Sequence, residues 1–367
     1  MIFFSLYFIN PVFYSFTNFL LLAYAFLFFK FIPKLNLKLS AIFGTLFLYG
    51  FFQSFFFDVG FNHYKNLINL LGYLVIFSFA CKLFGNKSNY DLAKYTFFLA
   101  TFCALIIILF DLYFQLSSIF LNLKIQNLNH FYKIYNSYIE QSLIQKQTIA
   151  QLFTIGFFAS FQLKKSFLKL IISVFLFYVV LGSRSCMIGI LVALLARNMP
   201  YSRNVNWPFV CYIFFILTWL FLFSFVSDDK LIIFNFDVRF SYFNAAYLIF
   251  KENPILGVGL FNIADFMESR NNYFLNLFGD LHNFNDRFGT GFESGMLQFL
   301  IGAGILGTFW IYLIGIQHHL YIKANGWDWI SLSFLSIFVS SAFEDNLLMP
   351  IFFLILSILI SKKRSHA

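Results

Sequence analysis

Charged residues are scarce in this chain. Only 11% of its 367 residues are Asp, Glu, Lys or Arg, whereas 60% are hydrophobic and the mean hydropathy is +0.78. The sequence has no internal repeat, no proline-rich linker and no stretch with the composition of a soluble domain. Several apolar runs reach the roughly 20 residues that cross a bilayer. The composition therefore predicts an all-α polytopic membrane protein that forms one transmembrane domain over residues 1–367.

Several chemical signatures are also missing. The four cysteines lie in apolar runs without CxxC spacing, which favours small core residues over disulfides or a metal site; they are Cys81, Cys103, Cys186 and Cys211. The sequence contains no P-loop, no HExxH and no Asp-x-Asp motif, so we predict neither a metal nor a cofactor. The first nine residues lack a basic region and a cleavage site, and no removable signal peptide is predicted.

Hydropathy predicts about eleven membrane-spanning helices. Their approximate bounds are 12–32, 39–57, 66–84, 92–111, 148–163, 167–181, 185–196, 208–226, 292–316, 329–343 and 347–361. Two longer segments, 112–147 and 227–291, separate neighbouring spans. We expect each of them to lie outside the bilayer on the same side.

Basic residues are distributed unevenly between the two sides. Strict alternation of the spans puts 15 Lys and Arg on one side, and the short loops of the other side hold only Lys65 and Arg184. Positive charge in short loops follows the cytoplasm. The sequence therefore predicts a cytoplasmic C-terminus and an external N-terminus, with both long segments external. This distribution argues against nucleic acid as the partner of the net charge of +9.

The first external segment, 112–147, contains three tyrosines at a spacing of three. Tyr132, Tyr135 and Tyr138 are interleaved with apolar residues, a pattern typical of an amphipathic helix on a membrane surface. One interpretation is an aromatic belt at the interface. The functional interpretation is a wall of the groove that holds a lipid-linked or sugar substrate.

Two arginines stand where the apolar pattern breaks. Arg184 lies in Gly182-Ser183-Arg184-Ser185, at the outer end of a predicted span, and Arg239 opens an amphipathic pattern that runs to Lys251. The guanidinium fork matches phosphate oxygens bidentately, which makes each arginine a candidate phosphate ligand. The alternatives are a side chain that reaches the membrane interface at Arg184 and a solvated helix charge at Arg239.

Two candidate bases follow in the second external segment and just beyond it. His282, in Asp280-Leu281-His282-Asn283-Phe284, has an ordinary pKa near 6.5, which suits a general base at neutral pH. Glu293 begins the next helix and is the second candidate, although it can equally be an anion stabilised by the helix dipole. His282 can likewise be an ordinary polar loop residue. His63 and His130 have no charged partner in the sequence pattern, and His318 is predicted to lie in a cytoplasmic loop.

These motifs together resemble the O-antigen ligase/polymerase family. The resemblance rests on Ser183-Arg184-Ser185, on Arg239 followed by Asn253-Pro254-Ile255-Leu256-Gly257-Val258-Gly259, on His282-Asn283, and on the glycines of Gly304-Ile305-Leu306-Gly307. It covers about residues 182–307. The segment between His282 and Glu293 is longer and more polar than the family pattern.

The resemblance implies a metal-independent inverting glycosyltransferase of the membrane-embedded C-type superfamily. It implies an undecaprenyl-pyrophosphate-linked oligosaccharide as donor, an inner membrane location and an active site that faces the periplasm. Arg184 and Arg239 match the pyrophosphate-binding arginines, and His282 matches the catalytic histidine. Membrane lipids are the surrounding partners.

The acceptor is open at this stage. A polymerase, which we favour, transfers the glycan to another lipid-linked repeat unit and would add a chain-length regulator as a partner. A ligase transfers it to lipid A–core. A transporter or flippase for the same lipid-linked sugars is the alternative of another class, and it would carry charges on broken helices near the membrane midplane.

Overall fold

The computed structural model is all-helical in the part of the chain that it describes. The described residues are 36–85, 87–102, 146–163, 184–224, 238–263, 265–266, 294–343, 347 and 350–362. Ten α-helices in these ranges have defined bounds: α1 Leu37–Gln53, α2 Phe61–Gly85, α3 Lys146–Gln162, α4 Arg184–Asn198, α5 Trp207–Ser224, α6 Val238–Glu252, α7 Gly295–Ala303, α8 Gly307–Asn325, α9 Trp329–Ser340 and α10 Pro350–Ser361. A 3₁₀ helix, Ser202–Asn204, precedes α5, and residues 89–102 are also helical.

Helix α9 forms the centre of the bundle. Asp328 caps its first turn, because the carboxylate accepts from the backbone N–H of Ser331 while the Ser331 hydroxyl accepts from the backbone N–H of Asp328. This reciprocal capping satisfies donors that a helix start leaves free. Every residue from Trp329 to Ser340 is buried, as expected of a helix that is covered on all sides. It packs mainly against α4 and α3.

Helices α1, α2 and α10 form a second packed group. Phe353 of α10 lies with its ring centroid 4.7 Å from that of Phe43 in α1 and 6.1 Å from that of Phe77 in α2. All three rings are buried. Offset and tilted ring pairs of this kind add to the burial of apolar area. The aromatic residues therefore join the N-terminal helices to the last one.

The two ends of α9 define two ends of the bundle, which are named here after the flanking residues Trp327 and Ser341. At the Trp327 end, Trp327 Nε1 donates to Ser202 Oγ at 3.0 Å, just beyond the C-terminus of α4. At the Ser341 end, Ser341 O accepts from Met296 N at 3.1 Å, in the first turn of α7. Helices α4 and α9 therefore run antiparallel, and α4 begins at the Ser341 end.

The helical fold class predicted from the sequence is confirmed. Described helices lie at the predicted spans 39–57, 66–84, 148–163, 185–196, 208–226, 329–343 and 347–361, and residues 89–102 are helical at the start of 92–111. The spans 12–32 and 167–181 lie outside the described residues, as does nearly all of the segment 112–147. None of the helices within the described ranges combines the length and the apolar character that a membrane crossing requires.

The sequence prediction is wrong at the span 292–316. The chain forms two helices there, α7 and α8, with a break at Gly304, whose φ of 65° lies in the left-handed region. Helix α8 then continues to Asn325. His318, predicted to lie in a loop, is therefore a fully buried helical residue.

Candidate functional site

The glycine-bearing loop Asn253–Leu260 lies directly against the C-terminal end of α7. Val258 N donates to Ile301 O at 3.0 Å, and Gly259 N donates to Gly302 O at 3.1 Å. On the other side of the break, Ile305 N donates to Pro254 O at 2.9 Å. The two backbones thus satisfy each other's polar groups where α7 ends, which a buried helix terminus requires.

Glycine is required where these backbones meet. Gly257 and Gly259 have φ of 72° and 108°, a region that residues with a Cβ rarely enter. A Cβ on Gly257 would also collide with the carbonyls of Ile301 and Gly302, and one on Gly304 would collide with Ile255. The glycines that carry part of the family resemblance therefore have a defined physical role, which is close approach of two chain segments.

Two polar side chains of α1 hold this loop. Gln53 donates from Nε2 to Leu256 O at 2.5 Å and to Gly302 O at 2.7 Å, and its Oε1 accepts from Leu260 N at 2.9 Å. The hydroxyl of Tyr49 donates to Ala303 O at 2.6 Å, with Leu256 O at 3.1 Å. The sequence analysis missed both residues. A polar side chain at the end of an otherwise apolar helix was the available signal.

The loop also joins α6 to α7. Their C-terminal ends meet at Asn253–Leu260, and the two helices contact each other. Arg239 is the second residue of α6. The predicted amphipathic helix that ends before Asn253-Pro254 is confirmed.

The starts of two helices lie next to the C-terminal end of α9. Arg184 is the first residue of α4 and lies at the Ser341 end. Helix α7 begins at that end, with Ser294 as its N-cap accepting from Leu297 N at 3.3 Å. Helix starts carry partial positive charge, so this end favours an anion.

The remaining site predictions fall outside the described residues. These are His282, Glu293, Tyr132, Tyr135 and Tyr138, and the second external segment is described only over residues 238–263 and 265–266. For Arg184 and Arg239 the description covers the backbone. Their assignment as pyrophosphate ligands, and that of His282 and Glu293 as bases, stay predictions.

A second polar junction connects the other side of the loop to the start of α2. Asn262 Oδ1 accepts from Gly60 N at 3.2 Å, and its Nδ2 donates to Asp58 O at 3.3 Å. His63, fully buried, donates from Nε2 to Gly50 O at 3.0 Å, and its Nδ1 has no hydrogen-bond partner within the described part of the chain. Burial lowers the pKa of His63, while the bond to Gly50 and the charge of Asp265 act in the opposite direction. Asp265 is thus one charged neighbour of His63 that the sequence pattern does not reveal.

The Trp327 end holds a different buried network. The carboxylate of Asp328 accepts from Tyr321 Oη at 2.6 Å and from Asn89 Nδ2 at 3.2 Å. Burial raises the pKa of Asp328, although the hydrogen bond from Tyr321 and those of the helix cap oppose the rise. His318 bonds through Nε2 to Ser331 O at 3.1 Å, and burial lowers the pKa of His318 to about 3. Each of these side chains has at least one protein partner, although the buried Nδ1 of His318 has none among the described residues. These contacts favour a structural role.

Within the described ranges, no group of three or more His, Cys, Asp or Glu side chains could hold a metal ion.

Comparisons of the chain with models of protein families, with curated proteins and with solved structures found no match.

Proposed function

We propose that this protein is a membrane glycosyltransferase of the O-antigen polymerase type, a metal-independent inverting enzyme. Its donor is an undecaprenyl-pyrophosphate-linked oligosaccharide, and its acceptor is another lipid-linked repeat unit at the periplasmic face of the inner membrane. One observation carries the proposal: α4, which begins with Arg184, and α7, which follows the histidine-bearing segment, both begin beside the C-terminal end of α9.

The exposed surface of α5 supports the membrane location. Val210, Phe214, Leu217 and Phe221 recur at spacings of four, three and four, and between 45% and 72% of each side chain is exposed. These spacings put the four side chains on one face of the helix. A contiguous exposed apolar face of this kind suits contact with lipid or with another protein. The apolar composition of the chain favours lipid.

The two arginines are assigned to the donor pyrophosphate. Their guanidinium groups pair with phosphate oxygens and stabilise the charge that develops as the bond between the anomeric carbon and the pyrophosphate breaks. The partial positive charge at the starts of α4 and α6 acts in the same direction. Neutralisation by arginine replaces the metal ion that nucleotide-sugar enzymes use.

His282 is assigned as the general base. As the acceptor hydroxyl attacks the anomeric carbon, its oxygen forms the new glycosidic bond and its proton passes to His282. The polyprenyl pyrophosphate leaves as the anion. Glu293 is the rival base, since desolvation raises the pKa of a carboxyl group towards neutrality. Tyr132, Tyr135 and Tyr138 are assigned to the groove for the lipid chain.

The decisive experiment is mass analysis of the products of the purified protein. With a defined lipid-linked repeat unit alone, a polymerase yields lipid-linked dimers and longer chains. A ligase yields product only after lipid A–core is added, which would replace the polymerase assignment with the ligase alternative. Absence of any transfer under both conditions would contradict the glycosyltransferase proposal and leave transport of the same lipid as the alternative.

Variants test the residue assignments in the same assay. His282→Ala should lower turnover by roughly 10²- to 10⁴-fold with donor binding retained. Arg184→Lys and Arg239→Lys keep the charge but lose the bidentate fork, and each should lower turnover by about 30- to 1000-fold. Arg197→Lys is the matched control, because Arg197 is exposed at the far end of α4. If Glu293→Gln is inactive while His282→Ala still turns over, the base is Glu293.

A further inference from the structure

We infer that Gln53 and Tyr49 are positioning residues for glycosyl transfer. They fasten the loop Asn253–Leu260 to the end of α7, and through it they set the placement of α6 and α7. The inference rests on the proposed function, and it assigns a role to α1, a helix outside the segment that carries the family resemblance.

The amide of Gln53 joins two separate parts of the chain. Its Nε2 donates one hydrogen to Leu256 O in the loop and the other to Gly302 O in α7, at 2.5 and 2.7 Å. Its Oε1 accepts from Leu260 N at 2.9 Å. Both amide hydrogens and the amide oxygen are therefore used. The side chain is fully buried, so water cannot replace these bonds if the amide is removed.

Tyr49 lies one helical turn earlier on the same face of α1. Its hydroxyl is within hydrogen-bond distance of Ala303 O, at 2.6 Å, and of Leu256 O, at 3.1 Å. Since a hydroxyl carries one hydrogen, the shorter contact is the stronger bond. Gln53 and Tyr49 thus share Leu256 O as an acceptor, and their effects on the loop should be coupled.

The loop connects these contacts to the candidate site. It follows directly from α6, which carries Arg239 near its start, and it forms backbone hydrogen bonds with the end of α7. A shift of the loop would move α6 and α7 relative to α4, on which Arg184 lies. Reacting groups must be aligned closely, and a misplacement of about 1 Å can cost about 10²-fold in rate.

The experiment compares two matched leucine variants. Gln53→Leu removes the amide that holds the loop. Gln151→Leu is the control, because Gln151 is also fully buried in a helix, while its amide nitrogen and oxygen have no hydrogen-bond partner among the described residues. Tyr49→Phe, which removes one hydroxyl, is the milder test variant and decides the question if Gln53→Leu does not fold.

The first readout is hydrogen exchange of the peptide that contains residues 256–260, in purified protein. We expect at least tenfold faster exchange in Gln53→Leu, a smaller increase in Tyr49→Phe, and wild-type exchange in Gln151→Leu. Unchanged exchange in both Gln53→Leu and Tyr49→Phe would overturn the inference. This readout does not depend on any enzymatic activity.

The second readout is steady-state transfer with the lipid-linked repeat unit. We expect kcat to fall about 10- to 100-fold in Gln53→Leu, while KM for the donor changes less than about threefold, because alignment rather than donor contact is lost. Faster exchange with unchanged kcat would reduce Gln53 to a structural residue and overturn the positioning role. If the wild type itself transfers no glycan, the proposed function fails, whereas the exchange data still decide whether the two residues hold the loop.

Discussion

At the scale of single residues, Gly257 combines two requirements that no other residue type meets. Its φ of 72° lies in the left-handed region, and a Cβ there would meet the backbone carbonyls of Ile301 and Gly302. Those carbonyls already accept hydrogen bonds from Val258 N and Gly259 N. Neither carbonyl can move away without breaking the contact that closes α7.

We therefore predict that Gly257→Ala destabilises the protein by about 1–3 kcal/mol. The matched control is Gly44→Ala in the middle of α1, where an added Cβ meets nothing within 4 Å. That change should be neutral or stabilise by about 0.5–1 kcal/mol, because alanine favours the helix. The Tm of the two purified variants checks this. Equal Tm values would show that the loop tolerates a side chain.

His318 should make the stability of the protein depend on pH. It lies two residues beyond the predicted span 292–316, and burial lowers its pKa to about 3. An unfolded histidine titrates near 6.5. Between these values the unfolded chain binds a proton that the native protein does not, so this residue lowers stability as the pH falls. Its contribution to stability is fully present only above about pH 6.5.

His318→Gln removes that titration while it keeps a side-chain donor for Ser331 O. We expect the Tm of the wild type to fall more steeply than that of the variant between pH 8 and pH 5. The difference between their free energies of unfolding should grow by up to about 1.4 kcal/mol per pH unit below pH 6. Taking the difference cancels groups that both proteins share, including Asp328, whose raised pKa acts in the opposite direction. Parallel curves would show that His318 has the same pKa in the native protein as in the unfolded chain.

At the scale of helices, the approach of α4 to α9 depends on Gly189. A Cβ at this position would collide with the backbone carbonyl of Ser336, and it would lie 3.0 Å from the hydroxyl of the same residue. The two helices therefore touch with almost no side chain between them. Small residues at a crossing allow this close approach in membrane helices.

Gly189→Leu should force α4 away from α9. We predict a loss of about 2 kcal/mol or more of stability, together with a fall in glycosyl transfer, because Arg184 begins α4. The control is Gly44→Leu, where the side chain enters open space. Thermal unfolding and turnover are measured on both variants. If Gly189→Leu has the Tm and the turnover of the wild type, the backbones of α4 and α9 do not approach each other closely at Gly189.

The helices also show where sequence patterns stop being informative. Hydropathy finds α9 and α10 because they are rich in large apolar residues and carry no charge, and Pro254 correctly marks the end of α6. It fails at the span 292–316 because Ile305 and Leu306 keep the apolar pattern unbroken across Gly304. The break depends on the loop Asn253–Leu260, and its hydrogen bonds with Tyr49 and Gln53 join residues about 200 positions apart. No local pattern encodes such a contact.

At the largest scale, several of the described basic side chains lie at the Trp327 end. Arg197 is in the last turn of α4, Arg203 is in the 3₁₀ helix that follows it, Lys323 is in the last turn of α8, and Asn325 Nδ2 lies 3.4 Å from Lys362 O. Arg197, Arg203 and Lys323 are exposed. The opposite end carries the starts of α4 and α7. For the proposed membrane enzyme, the positive-inside rule predicts that the Trp327 end faces the cytoplasm.

Thiol labelling of single-cysteine additions tests this orientation. Asn204→Cys is at an exposed position of the Trp327 end, and Asn271→Cys lies within the segment 227–291. In intact cells treated with a membrane-impermeant maleimide, we expect Asn271→Cys to be labelled and Asn204→Cys to react only after the inner membrane is permeabilised. The parent chain sets the background, since Cys81 and Cys186 are buried and Cys211 is half-buried. The reverse labelling pattern would show the opposite orientation in the membrane. The candidate site would then lie at the cytoplasmic face, where a periplasmic acceptor could not reach it.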